Sequence, residues 1–180
     1  MESKGFTLIE LLVVIAILAV LAVAVTLILN PAQLVRQGRD STRMSDLAAV
    51  HRAIGLYLAD RQEVTFSDVT NCTAGGTAPT SGSCTEIATT TVDSNGWVPI
   101  DFTAMSTGAP LSRLPLDPVN STDHFYVFDS NEDEEYELNA AMESNRYSSS
   151  GPADNDDVES TDGGDNDDWY EIGNDSDLNL

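Results

Sequence analysis

The chain has 180 residues, room for one ordinary domain and little more, and carries 30 acidic against 8 basic side chains for a formal net charge of −22. Such a balance excludes a general nucleic-acid binder, because a phosphate backbone has to be met by clustered Lys and Arg. The charge is uneven: residues 1–100 sum to −3 and residues 101–180 to −19. Mean hydropathy is nevertheless only slightly negative, so a very apolar segment must balance the acids.

That segment is at the front. From Leu11 to Leu29 every residue is Leu, Val, Ile or Ala except Thr26. The 24 residues from Phe6 to Leu29 reach about 36 Å as a helix, enough to cross a hydrocarbon core of about 30 Å. A secretory signal peptide has a shorter apolar region, about 7–15 residues, followed by a cleavage site. A retained membrane helix is therefore the expectation. Its orientation is contested by the charges. Lys4 lies on the short side and Arg36, Arg39 and Arg43 on the long side, which by simple counting puts the larger part inside the cell. That rule is weak for long translocated domains, and two cysteines spaced for a local disulfide favour an oxidising exterior. Glu10 breaks the run, where an unpaired carboxylate costs about 3 kcal/mol or more. Either it snorkels to water at the membrane edge or it awaits a partner positive charge.

The stretch Lys4-Gly5-Phe6-Thr7-Leu8-Ile9-Glu10-Leu11-Leu12-Val13-Val14 resembles the class III signal of type IV pilins and pseudopilins: a short basic leader ending in Gly, then Phe, then Glu at the fifth mature position. The resemblance implies that a prepilin peptidase cuts between Gly5 and Phe6 and methylates the new Phe6 amine, and that Glu10 pairs with a Phe6 amine as a subunit enters a growing filament. The partners it implies are copies of the same chain in a helical filament, the peptidase, an inner-membrane assembly platform and, before assembly, the membrane itself. The precursor would cross the inner membrane once with its head outside. The filament would then be extracellular or periplasmic.

Residues 1–5 are thus expected to be leader and residues 6–30 the membrane and filament-core helix. Asn30-Pro31 interrupts the apolar run, as Pro within a helical pattern does. Beyond it Leu47, Val50, Ile54 and Leu58 recur at three- and four-residue spacing, which predicts an amphipathic helix over 31–62 with a core-packing stripe. Arg36, Asp40, Arg43, Asp46 and Arg52 fall on its other faces, with Arg36/Asp40 and Arg39/Arg43 at i, i+4. Residues 63–115 are rich in Thr, Ser, Gly and Ala and read as a helix-to-sheet loop region. Cys72 and Cys84 enclose eleven residues there. They make no zinc set, and a disulfide between them would stabilise by about 3 kcal/mol in the chain-entropy model. Many type IV pilins place a disulfide nearer the C-terminus, so this is a departure.

Residues 116–180 are expected to form the β-sheet head with its acidic C-terminal segment. Leu111–Pro118 looks like the segment that precedes the sheet in pseudopilins. His124–Phe128 and Tyr136–Ala140 read as strands joined by the turn chemistry of Asp129–Glu134, with a further short strand at Trp169–Ile172. The fold class is α+β: a long N-terminal α-helix, apolar then amphipathic, packed on a small antiparallel sheet of three or four strands.

Eight carboxylates fall within fifteen residues from Asp154 to Asp168. Hard oxygen ligands beside Gly163 and Gly164 suit calcium, and the major pseudopilins of type II secretion bind calcium after the second strand. Asp154, Asp156, Asp157, Asp162, Asp165, Asp167 and Asp168 are the candidate ligands. The bland alternative is a solvated acidic surface. Asp129–Asp133 begins like an EF-hand, but Glu134 stands where Gly is needed and Ala140 where the bidentate Glu belongs. His51 and His124 stand alone, and no hydrolase elbow, P-loop or zincin motif occurs. No enzyme is expected. The leading reading is a structural subunit of a type IV pilus or pilus-like filament. The alternatives are a type II secretion pseudopilin with a calcium-stabilised head and, from another class, a membrane-tethered calcium- or ligand-binding module.

Overall fold

The computed structural model describes residues 5–61, 66–79, 82–153, 155–175 and 180, with the backbone alone for 26–29. The chain forms two compact units, Met1–Val35 and Arg36–Leu180.

The first unit is built on α1 (Leu8–Leu29). Its sequence is apolar on every side, so no single stripe could face a core of its own. Every side chain from Phe6 to Val25 is exposed, and an 18-residue stretch, Leu8–Val25, is long and apolar enough to cross a membrane. The helix was expected from Phe6 and starts two residues later, because Thr7 adopts the extended backbone of an N-cap. It ends at Asn30, whose φ of 39° and ψ of 77° are left-handed, a conformation that Asn tolerates better than most residues. The Asn30 carbonyl accepts N–H groups of Gln33 (2.9 Å) and Leu34 (3.4 Å). Pro31 opens α2 (Pro31–Asp60) at the position where a missing N–H costs nothing.

In the second unit α2 buries Leu47, Val50, Ala53 and Ile54, three of them in the predicted stripe, with Leu58 packed at its margin. They meet a five-stranded sheet of order β2-β1-β3-β4-β5, comprising β1 (Val69–Cys72), β2 (Thr85–Glu86), β3 (Tyr126–Ser130), β4 (Tyr136–Ala140) and β5 (Tyr170–Gly173). All neighbours are antiparallel except β1 and β2. The expected hairpin is β3–β4, and the expected further strand is β5. At the turn the Asn131 side-chain oxygen accepts the N–H groups of Asp133 (2.8 Å) and Glu135 (3.2 Å), while Glu134 takes a φ of 66°.

The sheet has more strands than expected. β1 and β2 lie in the stretch read as irregular loop. Val-Thr-Asn-Cys carries no apolar alternation, and its strand state follows from pairing with β3 in the register Val69↔Ser130 to Cys72↔Val127. The same stretch also supplies core. Trp97, Val98, Ile100, Phe102 and Leu114 are buried with Tyr126, Phe128, Tyr136, Leu138 and Ala140 on the face that meets α2. Trp97 Nε1 donates to the Pro115 carbonyl (2.9 Å), as a buried indole must find a partner. The opposite face carries a smaller cluster of Cys72, Ala74, Ala78, Phe125 and Val127, with Trp169 against it.

Candidate functional site

At the N-terminal end, Gly5 and Phe6 precede α1, and Phe6 is 86% exposed. Phe6 and Glu10 were expected one turn apart on one helix. Phe6 lies outside the helix, and Glu10 instead engages Thr7. Thr7 donates from its backbone N–H (2.8 Å) and its hydroxyl (2.7 Å) to Glu10 Oε2, and the Glu10 N–H donates back to Thr7 Oγ1 (3.3 Å). This is a capping box, which satisfies orphan N–H groups of the first turn and sets a negative charge where the helix dipole favours it. Neither earlier reading of Glu10 included it, although Thr7-x-x-Glu10 was visible. The arrangement holds one carboxylate at the start of a wholly apolar helix.

The second unit holds a buried ionic cluster. Arg43, read from spacing as an outward residue, is fully buried together with Asp40. Its Nε and Nη2 donate to the two oxygens of Asp117 (2.5 and 3.0 Å), and Nη1 donates to Asp40 (2.6 Å) and Glu143 (2.9 Å). Arg39 donates twice to Glu143 (2.5 Å each). Asp40 also accepts the N–H groups of Glu143 (3.1 Å) and Ser144 (2.9 Å). Burial would lower the Arg43 pKa, but its hydrogen bonds to Asp117, Glu143 and Asp40 outweigh this and raise it. Burial would likewise raise Glu143, yet Arg39 and Arg43 hold its carboxyl at about 2. The cluster ties α2 to the segments around Asp117 and Glu143. Its role is structural.

The Cys72–Cys84 disulfide is present, with Cα atoms 5.7 Å apart, and it joins the ends of β1 and β2. His51 is half-buried, its Nδ1 lies 2.9 Å from the Tyr136 hydroxyl, and burial lowers its pKa.

The described calcium candidates have separate partners or stand exposed. Asp154 lies outside the described residues. Asp156 pairs with Arg146 (2.6 Å), both about half exposed. Asp157 accepts from the Ser160 hydroxyl (2.5 Å). Asp162 accepts the N–H groups of Gly164 (3.0 Å) and Glu171 (2.6 Å). Asp168 accepts from the Ser149 hydroxyl (3.3 Å), and Asp165 and Asp167 are exposed. Among the described residues no three His, Cys, Asp or Glu side chains come together to hold a metal.

The buried acids of the head are different ones. Glu159 accepts the N–H groups of Met142 (2.6 Å) and Ser149 (2.8 Å), and burial pushes its carboxyl up to about 7. Glu137 and Asn139 on β4 and Glu171 on β5 are buried on the face away from α2. Burial, with Glu137 close by, pushes Glu171 up to about 8, and burial raises Glu137 as well. Sequence reasoning counted Glu159 only as one of the acidic-segment carboxylates and passed over Glu137 and Glu171. The alternation of Tyr136–Ala140 marked one apolar face, and only the fold covers the other.

No curated protein and no solved structure matches the chain. A family model does match residues 1–26, that of the prokaryotic N-terminal methylation motif. Those residues contain Gly5, Phe6 and Glu10 and most of α1, so the chain carries the prepilin-type motif shared by type IV pilins and pseudopilins.

Proposed function

We propose that this chain is a structural subunit of a type IV pilus or pilus-like filament, cut between Gly5 and Phe6 and polymerised through α1. One observation carries the reading: the methylation motif opens a helix whose side chains, as far as Val25, are all exposed and nearly all apolar. A helix apolar around its whole circumference requires a surround of lipid or of like helices, and a subunit that passes from membrane to filament core uses both in turn. Before assembly the precursor spans the inner membrane with its head outside, where the disulfide persists. Glu10 meets the Phe6 amine of a neighbour on entry.

A secretion pseudopilin is the second reading, and calcium in the acidic segment belongs with it. Residues 155–175 are folded onto β5 and the segment near Ser149 rather than detached. A cation bound there would stabilise the folded head.

Electron microscopy and mass spectrometry of material sheared from the cell surface test the proposal. Fibres built of this chain, starting at a methylated Phe6, are expected. A chain found only as a membrane-bound monomer, or fibres that retain Met1 to Gly5, would overturn it.

A further inference from the structure

Arg36, Arg39 and Arg43 follow the end of α1 closely, and by charge counting they argue against a head outside the cell. Two of them are consumed within the head. Arg43 is fully buried on Asp40, Asp117 and Glu143, and Arg39 holds Glu143. Arg36 is left over. Its expected i, i+4 partner, Asp40, is buried and occupied by Arg43 and by the N–H groups of Glu143 and Ser144. Arg36 is exposed, and no carboxylate pairs with it among the described residues. In a chain with 30 acids and 8 bases, an arginine without a carboxylate is an uncommon resource.

Leu34 and Val35 stand beside it, 53% and 56% exposed, and neither belongs to the buried core. With Pro31 and Ala32 they carry the apolar character of the chain past Asn30. The helix α1, 22 residues long, spans about 33 Å. That length fills a hydrocarbon core of about 30 Å, beyond which the headgroup layer is about 5–8 Å thick. Residues 31–36 are helical and rise about 1.5 Å each, so Arg36 lies on the order of 10 Å from the end of α1 whatever the angle at Asn30. Helical side chains lean toward the N-terminus of their own helix, which for Arg36 is the membrane side, and a long arginine stem lets the charge reach a headgroup. A guanidinium engages phosphate oxygens through two parallel hydrogen bonds.

We propose that Arg36 binds the phosphodiester of a phospholipid in the outer leaflet of the membrane that α1 spans, with Leu34 and Val35 seated between acyl chains and headgroups. The contact fixes how deep α1 sits, and with it the depth of Glu10 at the other end, while the precursor waits in the bilayer. It requires the membrane-spanning precursor of the proposed function and does not require polymerisation.

The test uses the full chain, isotope-labelled at its arginine guanidinium carbons, in vesicles of phosphatidylglycerol. Solid-state NMR reads the dipolar coupling of those carbons to lipid phosphorus, and alkaline carbonate extraction reports insertion separately. The wild type is expected to resist extraction and to show the coupling. Arg36→Gln should lose most of it, whereas Arg52→Gln and Arg113→Gln, which remove other exposed arginines, should keep it. Because Arg36 has no ion-pair partner in the head, Arg36→Gln should melt with the wild type, so a lost signal is not misfolding. Coupling that survives Arg36→Gln in full, or an inserted wild type without coupling, overturns the proposal and leaves the spanning helix standing. A chain that carbonate extracts overturns the spanning helix and the proposal together.

Discussion

Arg43 shows how far a single side chain can depart from its helical-wheel position. Its planar fork meets three carboxylates from three places in the chain, Asp40, Asp117 and Glu143. Removing one partner of a buried network leaves the rest uncompensated, which costs about 3–5 kcal/mol. Arg43→Ala is therefore expected to destabilise the head by that order in denaturant melts. Arg43→Lys should rescue it only in part, because an ammonium cannot engage Asp117 through two parallel bonds. Arg146→Ala breaks the exposed pair with Asp156, which solvent screens, and should leave the melt nearly unchanged. Equal losses at the two arginines would contradict this account.

At the scale of an element, α1 asks two things of Glu10, a cap and a charge. Gln serves a capping box as well as Glu does, so Glu10→Gln keeps the cap and loses the charge. Thr7→Ala loses the cap, worth about 0.5–2 kcal/mol, and keeps the charge. If Glu10 pairs with a neighbour's amine during assembly, Glu10→Gln should abolish or sharply reduce fibres, with membrane insertion intact. Thr7→Ala should still make them. Fibre yield from each variant expressed without wild-type subunit decides between the roles. The opposite pattern would mean that α1 needs Glu10 for its first turn and nothing more. The sheet makes a parallel point about elements: β3 and β4 announce themselves by pattern, whereas β1 and β2 exist because a neighbour and a disulfide hold them.

For the whole molecule, the buried carboxyls give the head a pH optimum. Glu143 is held at about 2 against an ordinary value of 4.5, so its contribution is complete above 4.5 and is lost as pH falls toward 2. Glu159 is pushed up to about 7. The folded state then binds its proton more tightly than the unfolded chain does, and stability rises as pH drops from 7 to 4.5. Glu171, at about 8, acts in the same sense, and so does the easing of repulsion in a chain of net charge −22. Melting of the full chain in micelles with chelator, followed from about pH 3 to about pH 8, should peak near pH 5. Glu159→Gln should flatten the alkaline limb and leave the acid limb unchanged. Stability that climbed steadily from pH 5 to 8 would refute the assignment.

The sequence by itself determined the features whose cause is local or repetitive. An unbroken apolar run predicts a helix that no water-soluble core could surround. The Gly5-Phe6 leader with Glu10 specifies the prepilin-type motif. Spacing of three and four predicts the stripe from Leu47 to Leu58, and aromatic alternation beside turn residues predicts the β3–β4 hairpin and β5. Tertiary structure alone decided which polar residues are buried, because burial depends on what lies opposite. Arg43 and Asp40 are interior only because Asp117 and Glu143, 74 and 100 positions from Arg43, close over them. Glu171 is interior because Gly164 and Asn166 of the acidic segment close over its carboxyl. Of the carboxylates most visible in the sequence, Asp165, Asp167 and Asp168 lie at the surface, whereas Glu159 is buried. Those few that pairing and long-range contacts drive out of water, Glu159 and Glu171 among them, are the ones whose protonation the fold shifts.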